Sequence, residues 1–407
     1  MSLEVNISEP DDFNCEELHS SIEEVAIAKG FTDFEYNVDC ISGKGGNYIA
    51  NVFRVVIRET DCDKDSFSVI VKTLVNTERQ ELFHELHKRE VIAYNEIIKK
   101  FDELQSSLDE ETKLMLPECL YTRIEKNNEV IVLSDLKVQG FQIDNKLANL
   151  ESLTFEQTSA IIGELAKFHA LSFILEKQDP TKFKEIKVKF PDIIFEKHFL
   201  NKSKLKNYFF ESFEMSLKLV TDKEAKNKLK KVKDSLLKLL QMYTKEGQTN
   251  VLCHGDCWVN NMLFKQEDNN ESKICFIDYQ AMRYSNPLTD IMYFLYICTD
   301  SKFRSEHVVQ LKHIYYDNLI SFGKLFETDI NYTKEEFVSD WEKYLPYGLV
   351  VAMIELRLVT MTPEEDATLK GAKITSNWDL TQVPDESVIF KERVNDVVRE
   401  ATRNGVP

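Results

Sequence analysis

Three side chains whose oxygen atoms suit phosphate chemistry lie close together in the sequence. Asp256 and Asn261 are five residues apart, and Asp278 follows 17 residues after Asn261. A carboxylate at Asp256 can orient an attacking hydroxyl and accept its proton. Oxygens from Asn261 and Asp278 are ligands that Mg²⁺ prefers. The spacing therefore predicts phosphoryl transfer to a hydroxyl, with Asp256 as the base and the other two residues holding the metal.

Such a site also needs a local positive charge, because the chain as a whole is acidic. Its formal net charge is -18 at pH 7, which argues against general nucleic-acid binding through Lys and Arg. Lys72 ends the apolar run Val69-Ile70-Val71. A charge flanked by strand residues is expected to face a lobe interior or a cleft unless it lies on a solvated face. If the chain is a kinase, Lys72 is expected to bind the α- and β-phosphates of ATP.

The elements that must position these residues change in character along the chain. Helical spacing of Leu18, Ile22 and Val25 marks the first element, and runs of β-branched residues follow it. The predicted elements are helices over 13–30 and 78–102, strands over 47–58 and 67–74, a hairpin over 120–133, and a second hairpin over 262–279 in an otherwise helical region after about residue 150.

This order predicts an α+β, two-lobed protein-kinase-like fold. A small antiparallel β-sheet N-lobe with one long helix is followed by a larger, mainly helical C-lobe. We place the N-terminal lobe at residues 1–134 and the C-terminal lobe at 135–407. A length of 407 residues with 43% hydrophobic residues supports cores of this size. Residues 363–407 carry no motif, although 391–404 resemble a helix.

The chain shows no signal for secretion or for membrane insertion. Residues 1–14 lack a basic start followed by an apolar run, and no stretch of eighteen apolar residues occurs. We therefore expect no membrane span and a cytoplasmic protein. Its eight cysteines are scattered singly and should be reduced thiols. A zinc site at Cys253, His254, Cys257 and Cys275 is disfavoured, because their spacing fits no usual C-x2-C pattern.

The segment CHGDCWVNNMLF at 253–264, followed by FIDYQ at 276–280, resembles the catalytic loop of the choline kinase and aminoglycoside phosphotransferase superfamily. It is most similar to one branch, the ecdysteroid kinase-like (CHK kinase-like) family. The resemblance extends from about Gly43 to Gly348. It implies an ATP- and Mg²⁺-dependent kinase that phosphorylates a hydroxyl of a small molecule, such as an ecdysteroid or a xenobiotic alcohol.

The resemblance also implies a nucleotide site. It pairs Lys72 with Glu90 on the following helix, where Glu81 and Glu85 are competitors. A glycine-rich turn, whose backbone N–H groups can cover phosphates, comprises Gly43, Lys44, Gly45, Gly46 and Asn47. The segment that corresponds to the adenine-binding hinge comprises Ser134, Asp135 and Leu136.

Structural support of the catalytic loop is implied for two further residues. His254 is expected to form hydrogen bonds within the loop rather than to act as a base. Asp290 matches a family aspartate that braces the loop, and its alternative is an ordinary acid at a helix start. His169 is expected to be a packed helical histidine.

The acceptor is expected between helices of the larger lobe, in front of Asp256. An apolar wall would suit a lipophilic alcohol, whereas a choline- or ethanolamine-type substrate would require converging aromatic and acidic groups. A pseudokinase that only binds a ligand is the third possibility, which the retained Lys72, Asp256 and Asp278 disfavour. Aromatic and Met residues at helical spacing are more often ordinary core, and that alternative stands for each candidate. Candidate lining residues are Tyr208, Phe209, Phe210, Phe213, Tyr344, Tyr347 and Met353.

Overall fold

A computed structural model describes residues 16–41, 50–60, 66–74, 80–126, 128–143, 153–203, 205–267, 272–361 and 387–406. The glycine-rich turn predicted to cover phosphates lies outside these residues. So do residues 363–386, within the stretch for which the sequence shows no motif.

The N-terminal part is built on a five-stranded antiparallel sheet. Its strands pair in the order β1-β2-β3-β5-β4. Phe53, Val55 and Ile57 alternate along β2 and are fully buried, as a strand with one covered face requires. Helix α1 packs on that face. The elements are α1 (Glu16–Ala28), β1 (Phe34–Cys40), β2 (Ala50–Glu59), β3 (Phe67–Leu74), β4 (Cys119–Arg123) and β5 (Val130–Ser134).

The long helix predicted after β3 is present and is interrupted once. Helix α2 (Gln80–Ile92) passes through a π-helical segment at Ala93–Ile98 into α3 (Lys99–Leu104). Tyr94 and Phe101 on this helix belong to the same buried cluster as the helical C-terminal part. The helix therefore joins the sheet to that part, and a lobe boundary between residues 134 and 135 remains a prediction.

The C-terminal part is mainly helical, as expected. Two of its long helices, α4 and α12, begin with reciprocal capping boxes at Thr154 and Thr333. The helices are α4 (Phe155–Gln178), α5 (Pro180–Lys187), α6 (Lys197–Ser203), α7 (Leu205–Leu219), α8 (Lys223–Asp234), α9 (Leu236–Thr244), α10 (Leu288–Cys298), α11 (Ser301–Leu325), α12 (Lys334–Val359) and α13 (Val388–Arg403).

Helix α4 is the central core helix of this part. By length and composition it could cross a membrane, but 72% of its most apolar window is buried inside the protein. Its residues Ile161, Leu165 and Phe168 are fully buried in the main hydrophobic cluster. The apolar character of α4 is therefore explained by packing within the protein.

Two short antiparallel pairs of strands frame the predicted catalytic residues. The hairpin predicted over 262–279 is formed by β7 (Met262–Gln266) and β8 (Ser272–Phe276). A second pair, β6 (Val251–Cys253) with β9 (Arg283–Ser285), was not predicted. The segment that contains Asp256 leaves β6, and the segment that contains Asp278 leaves β8. With this arrangement, the predicted two-lobed α+β fold of protein-kinase-like type is confirmed.

Candidate active site

The loop between β6 and β7 depends on a glycine. Gly255 has a φ of +88°, in the left-handed region, and an added Cβ atom would lie 1.9 Å from the backbone oxygen of Ala281. Only glycine allows the loop to pack this closely against the turn at Tyr279–Ala281. The close approach places Asp256 beside the segment that follows β8.

Both carboxylate oxygens of Asp256 are held by side chains. The amide nitrogen of Asn261 donates to Oδ2 at 2.9 Å and to the backbone oxygen of Asp256 at 3.0 Å. The hydroxyl of Tyr293 donates to Oδ1 at 2.9 Å. Burial raises the pKa of Asp256 above its usual value, and the charge of Asp278 adds to that effect, although the hydrogen bonds oppose it. Asp256 is therefore an oriented carboxylate with increased basicity.

Asp290 braces the backbone of the same loop from the start of α10. Its oxygens accept the backbone N–H groups of His254 at 2.6 Å and Gly255 at 2.9 Å. His169 forms a third hydrogen bond to the Asp290 carboxylate at 3.2 Å, and its other ring nitrogen bonds Tyr315. Burial alone would raise the pKa of Asp290, but the hydrogen bond and charge of His169, with the charges of Arg283 and His254, outweigh it and the pKa is lowered. Asp290 thus remains an anion that fixes the loop.

His254 joins the two segments that carry the acidic residues. Its Nε2 bonds the backbone oxygen of Ile277 at 3.0 Å, and its Nδ1 accepts the backbone N–H of Asp256 at 3.3 Å. Both ring nitrogens are thus engaged with the backbone, and the residue is fully buried. This geometry gives His254 a bracing position and leaves no ring nitrogen to act as a base.

Lys72 lies between two acidic residues from different parts of the chain. Its Nζ is 2.7 Å from Oε2 of Glu90 and 3.1 Å from Oδ1 of Asp278. Burial would lower the pKa of Lys72, but the charges of Asp278 and Glu90 outweigh it and raise the pKa. Glu85, one of the competing glutamates, lies at the surface and pairs with Lys88 at 3.5 Å. The predicted lysine, Glu90 and Asp278 are therefore brought together around a fixed ammonium group.

In the hinge segment, the side chain of Asp135 is bound by residues of the sheet. Asp135 accepts hydrogen bonds from Arg54 at 2.6 Å and from Ser68 at 2.7 Å. Its backbone N–H is bonded to the oxygen of Ser68, and that of Ser134 to the oxygen of Glu118. Burial would raise the pKa of Asp135, but the bonds from Arg54 and Ser68 lower it. Its side chain therefore ties the hinge to the sheet, while Ser134, Asp135 and Leu136 all border the cavity.

One continuous cavity of about 680 Å³ extends from this hinge past Lys72 and Asp256 into the helical part. Of the aromatic residues expected to line the acceptor site, Tyr208, Phe209 and Tyr347 border the cavity. The other four candidates, Phe210, Phe213, Tyr344 and Met353, do not border the cavity and pack in or against the hydrophobic core, which is the stated alternative. Helical spacing marks a buried face, but it cannot tell a core position from a cavity wall.

Sequence reasoning missed two polar residues of this cavity. Tyr293 follows Asp290 by three residues on one helix, which puts both side chains on the same face. Glu355 is the only acidic residue in the apolar run 349–359, and an acid in such a run is a signal that we did not use. Its Oε2 accepts a hydrogen bond from Tyr208 at 2.7 Å.

The residues at the cleft fit a divalent cation. Asn261 uses its amide nitrogen for both bonds to Asp256, so its Oδ1 is left to coordinate a metal. Asp278 supplies a carboxylate, and its repulsion of Asp256 is a charge effect that a cation would relieve. His169, Cys253 and Asp290 also lie close together. Each of the three already has a hydrogen-bond partner in the protein, so these residues have no need of a metal. His169 bonds Tyr315, the thiol of Cys253 bonds the backbone oxygen of Ser285, and Asp290 accepts from the backbone of His254.

An oriented carboxylate, a fixed lysine and an adjoining cavity are what phosphoryl transfer to a hydroxyl requires, and they place this protein in the class of small-molecule kinases. The family follows from a comparison of sequences, in which residues 44–327 match the ecdysteroid kinase-like family. Since the match covers more than half of the chain, the protein belongs to the ecdysteroid kinase-like family. Among curated proteins, none matches the chain.

Several solved structures are similar to this chain at low sequence identity. An ethanolamine kinase from Plasmodium vivax is 13% identical, with a TM-score of 0.43 over 97% of this chain and 90% of that one. An aminoglycoside 2'-phosphotransferase bound to GDP is 13% identical, with a TM-score of 0.42 over 96% and 100%. A macrolide 2'-phosphotransferase from Brachybacterium faecium is 9% identical, with a TM-score of 0.38 over 88% and 99%. Likenesses of this size do not identify the substrate of this chain.

Proposed function

We propose that the protein transfers the γ-phosphoryl group of ATP, bound with Mg²⁺, to a hydroxyl of a lipophilic small molecule such as a steroid or a xenobiotic alcohol. The observation that supports this most is the position of Asp256. It lies where the cleft beside Lys72 opens into a cavity walled by Phe195, Phe209 and Ile354. A base at the junction of a nucleotide cleft and an apolar cavity suits a lipophilic alcohol.

The proposed reaction is a direct transfer. The acceptor hydroxyl donates a hydrogen bond to Asp256, which takes the proton as the new oxygen–phosphorus bond forms. The bond between the γ-phosphorus and its bridging oxygen breaks, and ADP leaves with the electron pair. Tyr293 and Asn261 keep the carboxylate aimed during this step, since each holds one of its oxygens. Lys72 is fixed by Glu90 and binds the α- and β-phosphates.

Asn261 and Asp278 are the residues that would hold Mg²⁺. When bound, this ion neutralises phosphate charge and favours the leaving of ADP. The hinge backbone at Ser134–Leu136 and the glycine-rich turn at 43–47 complete the proposed nucleotide site. His254 and Asp290 keep the loop in place without contacting the substrates.

A second candidate is a kinase for an amino alcohol of the choline or ethanolamine type. One observation favours it: the acidic Glu355 and the aromatic residues Tyr208 and Tyr347 converge on the cavity near Asp256. Such groups could surround an ammonium ion. The rest of the wall is largely apolar, and so the lipophilic alcohol is preferred.

The test is Mg²⁺-dependent release of ADP by the purified protein with a panel of ecdysteroids, plant phenols and glycosides, choline and ethanolamine. Asp256→Asn should lower turnover by about 10²- to 10⁴-fold, the usual contribution of a general base. Binding of Mg·ATP, measured by calorimetry, should change little because the phosphates are held elsewhere.

The matched control is Asp317→Asn, which alters an exposed aspartate on α11 of the same part of the protein. This variant should keep wild-type turnover. Wild-type rates in Asp256→Asn would contradict the assignment of the base. Turnover on choline or ethanolamine alone would select the second candidate, and binding of Mg·ATP without turnover on any acceptor would indicate a pseudokinase.

A further inference from the structure

Helix α12 brings one acidic side chain into the apolar wall of the cavity. Along this helix Val351, Ile354 and Leu358 also border the cavity, and Glu355 lies among them. Glu355 is partly accessible, and the space it meets is the cavity itself. It lies beyond residues 44–327, so membership of the family assigns it no role.

The position of Glu355 is unfavourable for a charged group. Burial raises its pKa to about 7, and the charge of Asp256 adds to the effect although the hydrogen bond from Tyr208 opposes it. Acids with a perturbed pKa in a cavity are found often at functional sites. Tyr208 accounts for one carboxyl oxygen, Oε2.

Glu355 and Asp256 border the same region of the cavity. Each accepts a hydrogen bond from a tyrosine, Glu355 from Tyr208 and Asp256 from Tyr293. Burial raises the pKa of Tyr293, and the negative charges of Asp256 and Glu355 raise it further. Both carboxyl groups therefore lie near the hydroxyl of Tyr293. Two pairs of carboxyl and phenol groups therefore lie beside the apolar wall that Phe195, Phe209 and Ile354 form.

We propose that Glu355 and Tyr208 form a second polar binding point for the acceptor, and that the acceptor is a mainly apolar diol. In this arrangement Asp256 takes the proton of one hydroxyl, while the free oxygen of Glu355 accepts a hydrogen bond from the other hydroxyl. The inference rests on the proposed function, because it treats the cavity beside Asp256 as the acceptor site. It narrows the substrate from any lipophilic alcohol to one that carries a neighbouring second hydroxyl.

A second hydroxyl fits this position better than an ammonium group. At neutral pH the carboxyl group of Glu355 is shared between its neutral and charged forms, and a hydroxyl can bond to either form as donor or acceptor. An ammonium group can only donate, and the charged form of the carboxyl group binds it best. It would also have to leave water for a wall that is mostly apolar, at a cost that one partly neutral carboxyl group offsets poorly.

The test uses three probes that share a phenyl ring and a primary hydroxyl: 2-phenylethanol, 1-phenylethane-1,2-diol and 2-amino-2-phenylethanol. Their affinities are measured by calorimetry in the presence of Mg²⁺ and a non-hydrolysable ATP analogue, and release of ADP is measured separately with ATP. Wild-type protein should bind the diol about tenfold more tightly than the mono-alcohol, as one added hydrogen bond implies. The amino alcohol should bind no better than the mono-alcohol.

Two variants test whether the preference for the diol depends on Glu355. Glu355→Met keeps the length of the side chain but removes its oxygens, and should bind the diol and the mono-alcohol equally. Glu164→Gln is the matched control, because Glu164 is a half-buried glutamate with a raised pKa that pairs with Lys167 and does not border the cavity. It should keep the tenfold ratio.

Equal binding of the diol and the mono-alcohol by the wild-type protein would overturn the inference, and so would no binding of any probe. A preference that survives in Glu355→Met would also overturn it, as would tightest binding of the amino alcohol. Failure of the proposed function gives a different result. The diol would bind with its preference dependent on Glu355, while no ADP would be released.

Discussion

A single methyl group at position 255 tests how the catalytic loop is held. In Gly255→Ala the new Cβ would lie 1.9 Å from the backbone oxygen of Ala281, where a real contact needs more than 3.0 Å. The obstacle is backbone, so no side-chain rotation can relieve it. The loop or the facing turn must move by more than an ångström.

The expected loss of stability has two parts. A residue with a side chain in the left-handed region costs about 1 to 2 kcal/mol. Moving the loop also weakens the hydrogen bonds that the Asp290 carboxylate accepts from His254 and Gly255, and a bond to a charged group contributes about 1.5 to 3 kcal/mol. A total of about 3 to 5 kcal/mol follows, which for a chain of this size lowers Tm by about 4 to 6 °C.

Gly30→Ala is the matched control. Gly30 also has a positive φ, of +84°, but a Cβ atom there would meet nothing within 4 Å. Only the conformational cost remains, so Tm should fall by about 1 to 2 °C. Thermal unfolding and ADP release would be measured for both variants. Gly255→Ala should lose turnover because Asp256 is displaced, and Gly30→Ala should keep it. Equal losses of Tm in the two variants would refute the reasoning.

Two further predictions concern charged groups of the cavity. Lys72→Ala leaves Glu90 and Asp278 without their cation, so ATP binding and turnover should each fall at least about tenfold; unchanged kinetics would exclude a phosphate-binding role. Burial, with help from Asp256, raises the pKa of Glu355 from 4.5 to about 7, so the folded state holds this proton more tightly than the unfolded state and stability falls as pH rises between these values. Glu355→Gln removes this pH-dependent contribution to stability. Its free energy of unfolding should therefore rise by up to about 3 kcal/mol relative to that of the wild type between pH 4.5 and pH 8. Denaturant unfolding at the two pH values measures this gain, and a difference independent of pH would argue against the raised pKa.

Much of the fold follows from local patterns in the sequence. Strands β2 and β3 were predicted within three residues of their observed ends, because β-branched runs between turn residues are a strong local signal. The hairpin of β7 and β8 was found for the same reason. The pair of β6 and β9 was missed because each strand has only three residues and its partner is about 30 residues away. Pairing of that kind is set by tertiary contacts rather than by local pattern.

The site could be predicted only at positions where the residue type itself suits phosphoryl transfer. Lys72, Asp256, Asn261 and Asp278 were chosen for oxygens or charge that phosphoryl transfer needs, and the structure brings Lys72 to Asp278 and Asn261 to Asp256. Their catalytic roles remain proposals. The side chain of Asp135 faces the sheet, where Arg54 binds it. The orientation of the Asp135 side chain depends on Arg54, which is 81 residues away in the sequence. A contact between residues so far apart cannot be predicted from local sequence.

Helix α10 holds Asp256, the proposed base, in two ways. From one face, Asp290 binds the backbone of the catalytic loop and Tyr293 binds the carboxylate of Asp256. The same helix packs closely on α12, because Gly348 has no Cβ atom, which would lie 2.6 Å from the ring of Tyr296.

Contact between α10 and α12 therefore helps to set the position of Glu355 relative to Asp256. The side chains that hold Asp256, those of Asn261 and Tyr293, are not on α12, whereas Val351 and Ile354 of α12 border the cavity. We expect that changes at these two residues of α12 alter which acceptor is bound and leave the transfer step intact. Substitution at Val351 or Ile354 should shift the KM for the acceptor with little change in kcat, whereas Tyr293→Phe should lower kcat, because it releases one oxygen of Asp256.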